Sequence, residues 1–486
     1  MALIKPAHIF DRDAEWASLA AFAAHQSPDV RLGVVSGRRR QGKTYLLTSL
    51  ADSVEALYFA ASEATEADSL RQFGEALGRY AGAAAAYQLP TWEDALSALL
   101  ATAGDRLVII DEFPYLIRAS PSLPSLLQRL LDPGGSVRRQ GMTRLILCGS
   151  AMAVMGDLLS GTAPLRGRAS MELIVPPLGY RDAAAFWGIV DPRLAVLVNA
   201  VVGGTPAYRR EFTAGDAPAG IDDFDEWVLR TVLSPESPLF REARYLLAEE
   251  SEIRDTALYH AVLGAIAVGN SSRGGIANYI GRRSTDIAHP LTVLEDCQLI
   301  TREPDAFRSG RGRYRIVEPL ITFYEAVMRP AWTRLERRQA RRAWAEAKPR
   351  FQAQVVGPHF EALCREHALD APDDLFGGLS GEVMSGTVAD PAHRTQIELD
   401  VVVFGLPDQA GARRILAIGE AKWGERVTTR HVERLRRARA LLVAKGYDAV
   451  GARLVCYGAG GFDDDVVRAA GGGGGEIVLR GLADLF

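Results

Sequence analysis

The stretch Gly37-Arg38-Arg39-Arg40-Gln41-Gly42-Lys43-Thr44 constrains this chain more than any other. The apolar run Leu32-Gly33-Val34-Val35 precedes it, and the helix-forming run Tyr45-Leu46-Leu47-Thr48-Ser49-Leu50 follows. A buried strand, a loop framed by glycines and closing on Gly-Lys-Thr, and a helix are the parts of a phosphate-binding loop. Its backbone N–H groups and the helix N-terminus place positive partial charge where β- and γ-phosphates sit. Lys43 adds a full charge, and the Thr44 hydroxyl can ligate Mg²⁺. The sequence therefore predicts binding of a nucleoside triphosphate, with Gly37, Arg38, Arg39, Arg40, Gln41, Gly42, Lys43, Thr44 and Tyr45 as the binding segment. A glycine turn that merely precedes a helix is the plainer alternative.

The chain has 486 residues, enough for about three domains. A net charge of −4 with 24% charged residues makes no global demand for a nucleic-acid partner, so any such claim rests on local charge. Cys148, Cys297, Cys364 and Cys456 stand far apart without metal-ligand spacing, which argues for reduced thiols and against a structural zinc or a disulfide framework. The opening Met1-Ala2-Leu3-Ile4-Lys5-Pro6 is too short for a signal segment, and no apolar run approaches the ~18 residues of a membrane span. The expectation is a soluble, cytoplasmic protein without membrane contact.

Leu107-Val108-Ile109-Ile110 reads as a strand buried on both faces, ending in Asp111-Glu112. Asp111 would hold a metal through water, and Glu112 would orient the attacking water. A third strand, Leu145-Ile146-Leu147-Cys148, ends in Gly149-Ser150. Ser150 either senses the γ-phosphate or caps the next helix. In Pro164-Leu165-Arg166-Gly167-Arg168, Arg168, and less so Arg166, would serve as an arginine finger in cis or from a neighbouring copy in a homo-oligomer, or else lie solvated in a surface loop.

These segments resemble the prokaryotic AAA-like, STAND-related ATPases that carry a C-terminal restriction-endonuclease-like domain. The likeness is carried by Phe10-Asp11-Arg12-Asp13-Ala14-Glu15, the phosphate loop, Ile110-Asp111-Glu112-Phe113-Pro114-Tyr115, Gly149-Ser150, Leu165-Arg166-Gly167-Arg168 and Gly203-Gly204-Thr205-Pro206-Ala207-Tyr208, over roughly residues 8 to 330. It implies a five-stranded parallel sheet with a helical lid, and Arg12 near the nucleotide base.

Residues 180–250 read as helices without chemistry of their own. From Leu258, three helical stretches and two strands, Leu299–Glu303 and Tyr314–Val317, follow the winged helix-turn-helix plan. Arg308, Arg311 and Arg313 fall at the expected hairpin tip, where a cationic wing would meet DNA phosphates or serve only for packing. Residues 329–350 carry eight Lys/Arg against two Glu, read as a solvated connecting helix or a phosphate-contacting arm.

Further on, Glu361 lies on an amphipathic helix, Asp400 heads an apolar strand, and Glu420 and Lys422 share one face of another. Asp400 and Glu420 would share one or two Mg²⁺ or Mn²⁺, Lys422 would activate water, and Glu361 would be an outer ligand. This pattern resembles the PD-(D/E)xK phosphodiesterases over about 350–486. The following helix, Arg430-His431-Val432-Glu433-Arg434-Leu435-Arg436-Arg437, offers arginines to a DNA backbone but lacks the Gln some members place there. Gly471–Gly475 reads as a flexible loop before a short strand.

The expected fold is α/β: a P-loop NTPase parallel sheet (1–180), a helical lid (181–250), a winged-helix module (251–328), a basic linker helix (329–350) and a restriction-endonuclease-like α/β domain (351–486). The expected function is a Mg²⁺-dependent ATPase coupled to a nuclease-like domain acting on DNA. The rival is a nucleotide-switched regulator whose nuclease-like domain binds without cutting.

Overall fold

The computed structural model describes residues 3–26, 29–132, 142–250, 253, 255–409, 411–472 and 475–486. The first sheet holds β1 (Arg31–Ser36), β2 (Leu57–Ala60), β3 (Leu107–Asp111), β4 (Arg144–Gly149) and β5 (Ala169–Ile174) in the order β2-β3-β4-β1-β5, all parallel. Apolar residues alternate between its faces. Leu32, Val34, Val108, Ile110, Leu145 and Leu147 join one core, while Val35, Ile109, Ile146 and Cys148 join the other. Both faces are covered by helices, as a parallel sheet requires. Because β4 inserts between β1 and β3, the loops after these three strands converge at one C-terminal edge, where open α/β sheets bind ligands.

The lid follows as helices Tyr180–Trp187, Pro192–Val202 and Leu239–Ala248. Gly203-Gly204 turns the chain tightly over the loop after β5: a Cβ on Gly204 would lie 1.9 Å from the Leu178 carbonyl oxygen. Among the described residues no single helix is long and apolar enough to cross a membrane.

Helices Thr256–Ala267, Arg273–Tyr279 and Ala288–Asp296 precede the hairpin β6 (Ile300–Asp305) and β7 (Arg308–Ile316). The hairpin differs from the sequence reading. Its turn is Ala306-Phe307, so Arg308, Arg311 and Arg313 lie along β7 and not at a Gly-rich tip. The tip is also not free, because Asp305 pairs with Ser385 and the Ala306 N–H donates to the Ser385 carbonyl at 2.9 Å.

The hairpin thereby joins a second sheet containing β8 (Ser380–Asp390), β9 (Thr395–Gly405), β10 (Ile415–Lys422), β11 (Arg453–Gly458) and β12 (Ile477–Arg480), in the order β12-β11-β10-β9-β8-β6-β7. Helix Gly357–Leu369 precedes this antiparallel β8-β9-β10 meander, and helix Thr429–Ala444 crosses over to β11, which runs parallel to β10.

Residues 329–350 do not form one solvated connecting helix. They break into short helices whose Leu335, Ala343, Trp344 and Ala347 enter the large core shared by the lid, the three-helix module and one face of the second sheet. Their cations face lid carboxylates: Arg341 pairs with Glu226, Lys348 with Asp225 and Arg338 with Glu236. Gly471 and Gly472 close helix Asp464–Gly472, whereas Gly473 and Gly474 of the expected loop lie outside the described residues.

Candidate functional site

The loop after β1 wraps the N-terminus of helix Lys43–Val54. Gly37 sits at φ +153°, and a Cβ there would lie 2.6 Å from the Val175 carbonyl oxygen, so only glycine fits against the strand end. Lys43 is buried, its Nζ donates to the Arg38 carbonyl at 2.9 Å, and it forms no ion pair with a described residue. Burial pushes its pKa down, opposed by the charges of Glu112 and Asp111. A desolvated ammonium with no ion-pair partner among the described residues, at a helix N-terminus, is a site that an anion completes.

The three arginines expected among the binding residues are otherwise engaged. Arg38 pairs with Glu318 at 3.0 Å, both buried. Arg39 meets Glu249 at 3.4 Å and the Tyr115 hydroxyl at 3.4 Å. Arg40 meets Glu242 at 2.9 Å and Glu249 at 3.1 Å. Their side chains hold the lid and the region after the hairpin, leaving the loop amides and Lys43 for an anion. Gln41 is buried and donates to Thr205 Oγ1 at 3.4 Å, another tie to the lid. Arg12 donates to the Pro176 carbonyl at 2.7 Å and reaches the Gln41 carbonyl at 3.5 Å, bracing the loop. Tyr45 is partly exposed beneath the Arg210 guanidinium, 5.2 Å from its ring centre, in an open position beside the loop.

Around the carboxylates, Asp111 Oδ2 accepts from Thr44 Oγ1 at 2.8 Å and from the Tyr58 hydroxyl at 2.6 Å, while Oδ1 accepts from the Glu112 N–H at 2.9 Å. Thr44 and Asp111 are hard oxygen donors in contact, a pair that would fit Mg²⁺. Glu112 stands at φ +53°, a left-handed position a non-glycine residue adopts at a cost, and Ser150 Oγ donates to its carboxylate at 3.1 Å. Ser150 is therefore not a helix cap: helix Met152–Asp157 starts after Ala151 and takes no side-chain bond at its N-terminus. Arg168 turns elsewhere, pairing with Asp132 at 2.7 Å, and Arg166 is exposed. Tyr58 escaped the sequence reading because β2 carries no motif; its signal is geometric.

In the second sheet, the antiparallel register pairs Gly419 with Val401, and one further step sets Glu420 opposite Asp400. Asp400 Oδ2 accepts from the Ala421 N–H at 2.9 Å, and burial pushes its pKa up. Burial, with the Asp400 charge adding, raises Glu361 to about 7. Glu420 is buried and bound by Lys422 at 2.8 Å and Arg434 at 2.9 Å, with Oε2 unpartnered. The four predicted residues are thus brought to one region. Among the described residues, however, no three His, Cys, Asp or Glu side chains form a group that could hold a metal. Of the arginines of helix Thr429–Ala444, Arg437 pairs with Asp390, and Arg436 and Arg439 pair with Glu476, while Arg430 is exposed.

A cavity of about 790 Å³ lies between the lid, the hairpin and the second sheet. Its walls include Arg38, Thr205, Arg313, Glu318, Glu361 and Asp400.

No protein-family model matches the chain. It is 30% identical over 310 residues to an uncharacterized protein, MJECL04, of Methanocaldococcus jannaschii, across 62% of this chain. The match spans 65% of the length of that curated relative. Among solved structures, the Walker-type ATPase PABY2304 of Pyrococcus abyssi aligns with a TM-score of 0.50 at 18% identity, over 65% of this chain and 96% of that one. The Aeropyrum pernix ORC2 protein aligns at 0.42 with 14% identity, over 68% and 97%. The likeness to the Pyrococcus protein, together with the strand order, gives the first part of the chain a P-loop ATPase fold.

Proposed function

We propose that this chain binds and hydrolyses ATP with Mg²⁺, and that nucleotide turnover governs a nuclease-like C-terminal domain acting on DNA. The observation that carries the first half is the buried Lys43 at the mouth of helix Lys43–Val54, which forms no ion pair among the described residues, while its three neighbouring arginines are all paired. Thr44 and Asp111 would hold Mg²⁺, which would neutralise phosphate charge. Lys43 neutralises the same phosphates from the loop side. Glu112 accepts hydrogen bonds from the attacking water, and Ser150 fixes the carboxylate that does so. Arg168 can act as a finger, in its own chain or towards a neighbouring copy, only after its Asp132 pair opens.

A continuous route supports the coupling. Arg38 of the phosphate loop holds Glu318, which lies two residues beyond the end of β7. On β7, Arg313 holds Glu398 of β9 at 2.6 Å, two residues before Asp400. Arg365, one turn beyond Glu361, ties Glu303 of β6 at 3.4 Å and donates to the Asp400 carbonyl at 3.1 Å. A change in the loop on nucleotide binding thus reaches the carboxylate face through two ion pairs and one strand. The meander preceded by a helix and followed by a crossover to a parallel strand supports the PD-(D/E)xK reading.

A second reading is favoured by the capture of Glu420 between Lys422 and Arg434: the C-terminal domain binds but does not cut, and the protein acts as a nucleotide-driven switch. Plasmid nicking with Mg²⁺ or Mn²⁺, with and without ATP, decides between them. Nicking that Lys422→Ala abolishes supports the nuclease. Its absence in wild type under every nucleotide condition supports the switch.

A further inference from the structure

Asp111 is gripped by a residue that no nucleotide-binding motif includes. Tyr58 lies on edge strand β2, whose Ala60 is in register with Asp111 and whose Tyr58 is in register with Ile109. Its ring packs against the core that contains Leu46, Leu47, Ile109 and Cys148, a task phenylalanine would perform equally. Its hydroxyl, however, donates to Asp111 Oδ2 at 2.6 Å, shorter than the 2.8 Å bond from Thr44 to the same oxygen. The Glu112 N–H occupies Oδ1, and the buried Cys148 thiol lies beneath as a further partner. Burial and the adjacent carboxylate push the Tyr58 pKa up, so the phenol stays a neutral donor.

This arrangement separates two jobs. Thr44 must turn its oxygen lone pair towards a cation when one arrives, which weakens its value as a fixed anchor. Tyr58 has no such second task, and its bond holds the Asp111 carboxylate plane whatever Thr44 does. We propose that Tyr58 is a positioning residue: through Asp111 it preorganises the oxygen set that receives the divalent cation of the bound nucleotide. The inference rests on the phosphate loop being a cation–nucleotide site.

The test is Mn²⁺ binding in the presence of saturating ADP, followed by electron paramagnetic resonance, for wild type and Tyr58→Phe. Calorimetric titration of ADP in EDTA and the melting temperature of the nucleotide-free protein serve as controls. The substitution removes one oxygen and leaves the ring. The Mn²⁺ concentration for half-saturation should rise by roughly tenfold, as loss of a hydrogen bond to a charged group implies. ADP affinity in EDTA should stay within about twofold, since the Tyr58 hydroxyl acts on Asp111 and the Thr44 side chain, whereas the loop amides and Lys43 hold the phosphates. Unchanged Mn²⁺ half-saturation overturns the assignment, as does an equal loss of ADP affinity in EDTA, which would mark a general loosening. Wild type that takes up neither ADP nor Mn²⁺ with ADP would defeat the nucleotide-site reading itself, a different failure from that of Tyr58.

Discussion

Within one short loop, four neighbouring cations have two fates. Arg38, Arg39 and Arg40 pair with Glu318, Glu249 and Glu242, while Lys43 keeps its charge without a carboxylate. Lys43→Ala should weaken nucleotide binding roughly ten- to hundredfold, the worth of a hydrogen bond to a charged group, read by fluorescent-nucleotide titration. Glu112→Gln should bind ATP as tightly as wild type and turn it over at least about a hundredfold more slowly in a phosphate-release assay. Equal turnover would remove Glu112 from its role. Glu242 yields a pH prediction: burial, with Glu249 and Glu318 adding to it and Arg40 opposing, raises its pKa to about 7. Its favourable contribution to stability is complete below the unfolded value near 4.5 and is lost as pH rises through 7. Urea midpoints at pH 5 and pH 8 should therefore fall further for wild type than for Glu242→Gln; parallel falls contradict this. The phosphate loop and the Asp111-Glu112 pair were legible in sequence because their spacing is local. The arginine partners were not, since Glu242, Glu249 and Glu318 lie some two hundred residues or more away and pattern alone assigns no contact.

Buried strands were readable where apolar residues run continuously, as in β3 and β4, both fully buried over their apolar residues. Edge elements were less so. In β5 each second residue is exposed, and its Ala-Ser-Met-Glu-Leu-Ile sequence gives no clear strand signal. The hairpin turn was misplaced for a physical reason: Gly310 and Gly312 looked like a tip, but Phe307 provides it by packing against Tyr447 with ring centres 5.2 Å apart. The docked hairpin also changes the meaning of the wing arginines, since Arg313 is held by Glu398 rather than offered to phosphate. Arg313→Glu would set like charges together and loosen the hairpin. Hydrogen exchange over residues 300–316 should then quicken while exchange in β3 and β4 stays as in wild type. Unaltered exchange in the hairpin would show that the pair does not hold it.

Across the whole molecule, the lid, the three-helix module, residues 329–350 and one face of the second sheet share a single core, so the expected linker is structural. The phosphate loop connects to that body through buried charge, with Arg38 on Glu318 as the central link. Arg38→Met leaves Glu318 buried without its ion-pair partner and should cost about 3–5 kcal/mol in urea unfolding, far more than loss of a surface pair. Composition could not disclose this organisation: in the basic stretch 329–350, read as a solvated connecting helix or a phosphate-contacting arm, Arg341 and Lys348 pair with the lid carboxylates Glu226 and Asp225. The central claim remains that Lys43 and the helix N-terminus await a triphosphate. Calorimetric titration of the purified full chain with ATP and Mg²⁺ tests it most directly. Saturable one-to-one binding to wild type, severely weakened in Lys43→Ala, is the predicted result; a folded wild type that binds no nucleotide would contradict the account.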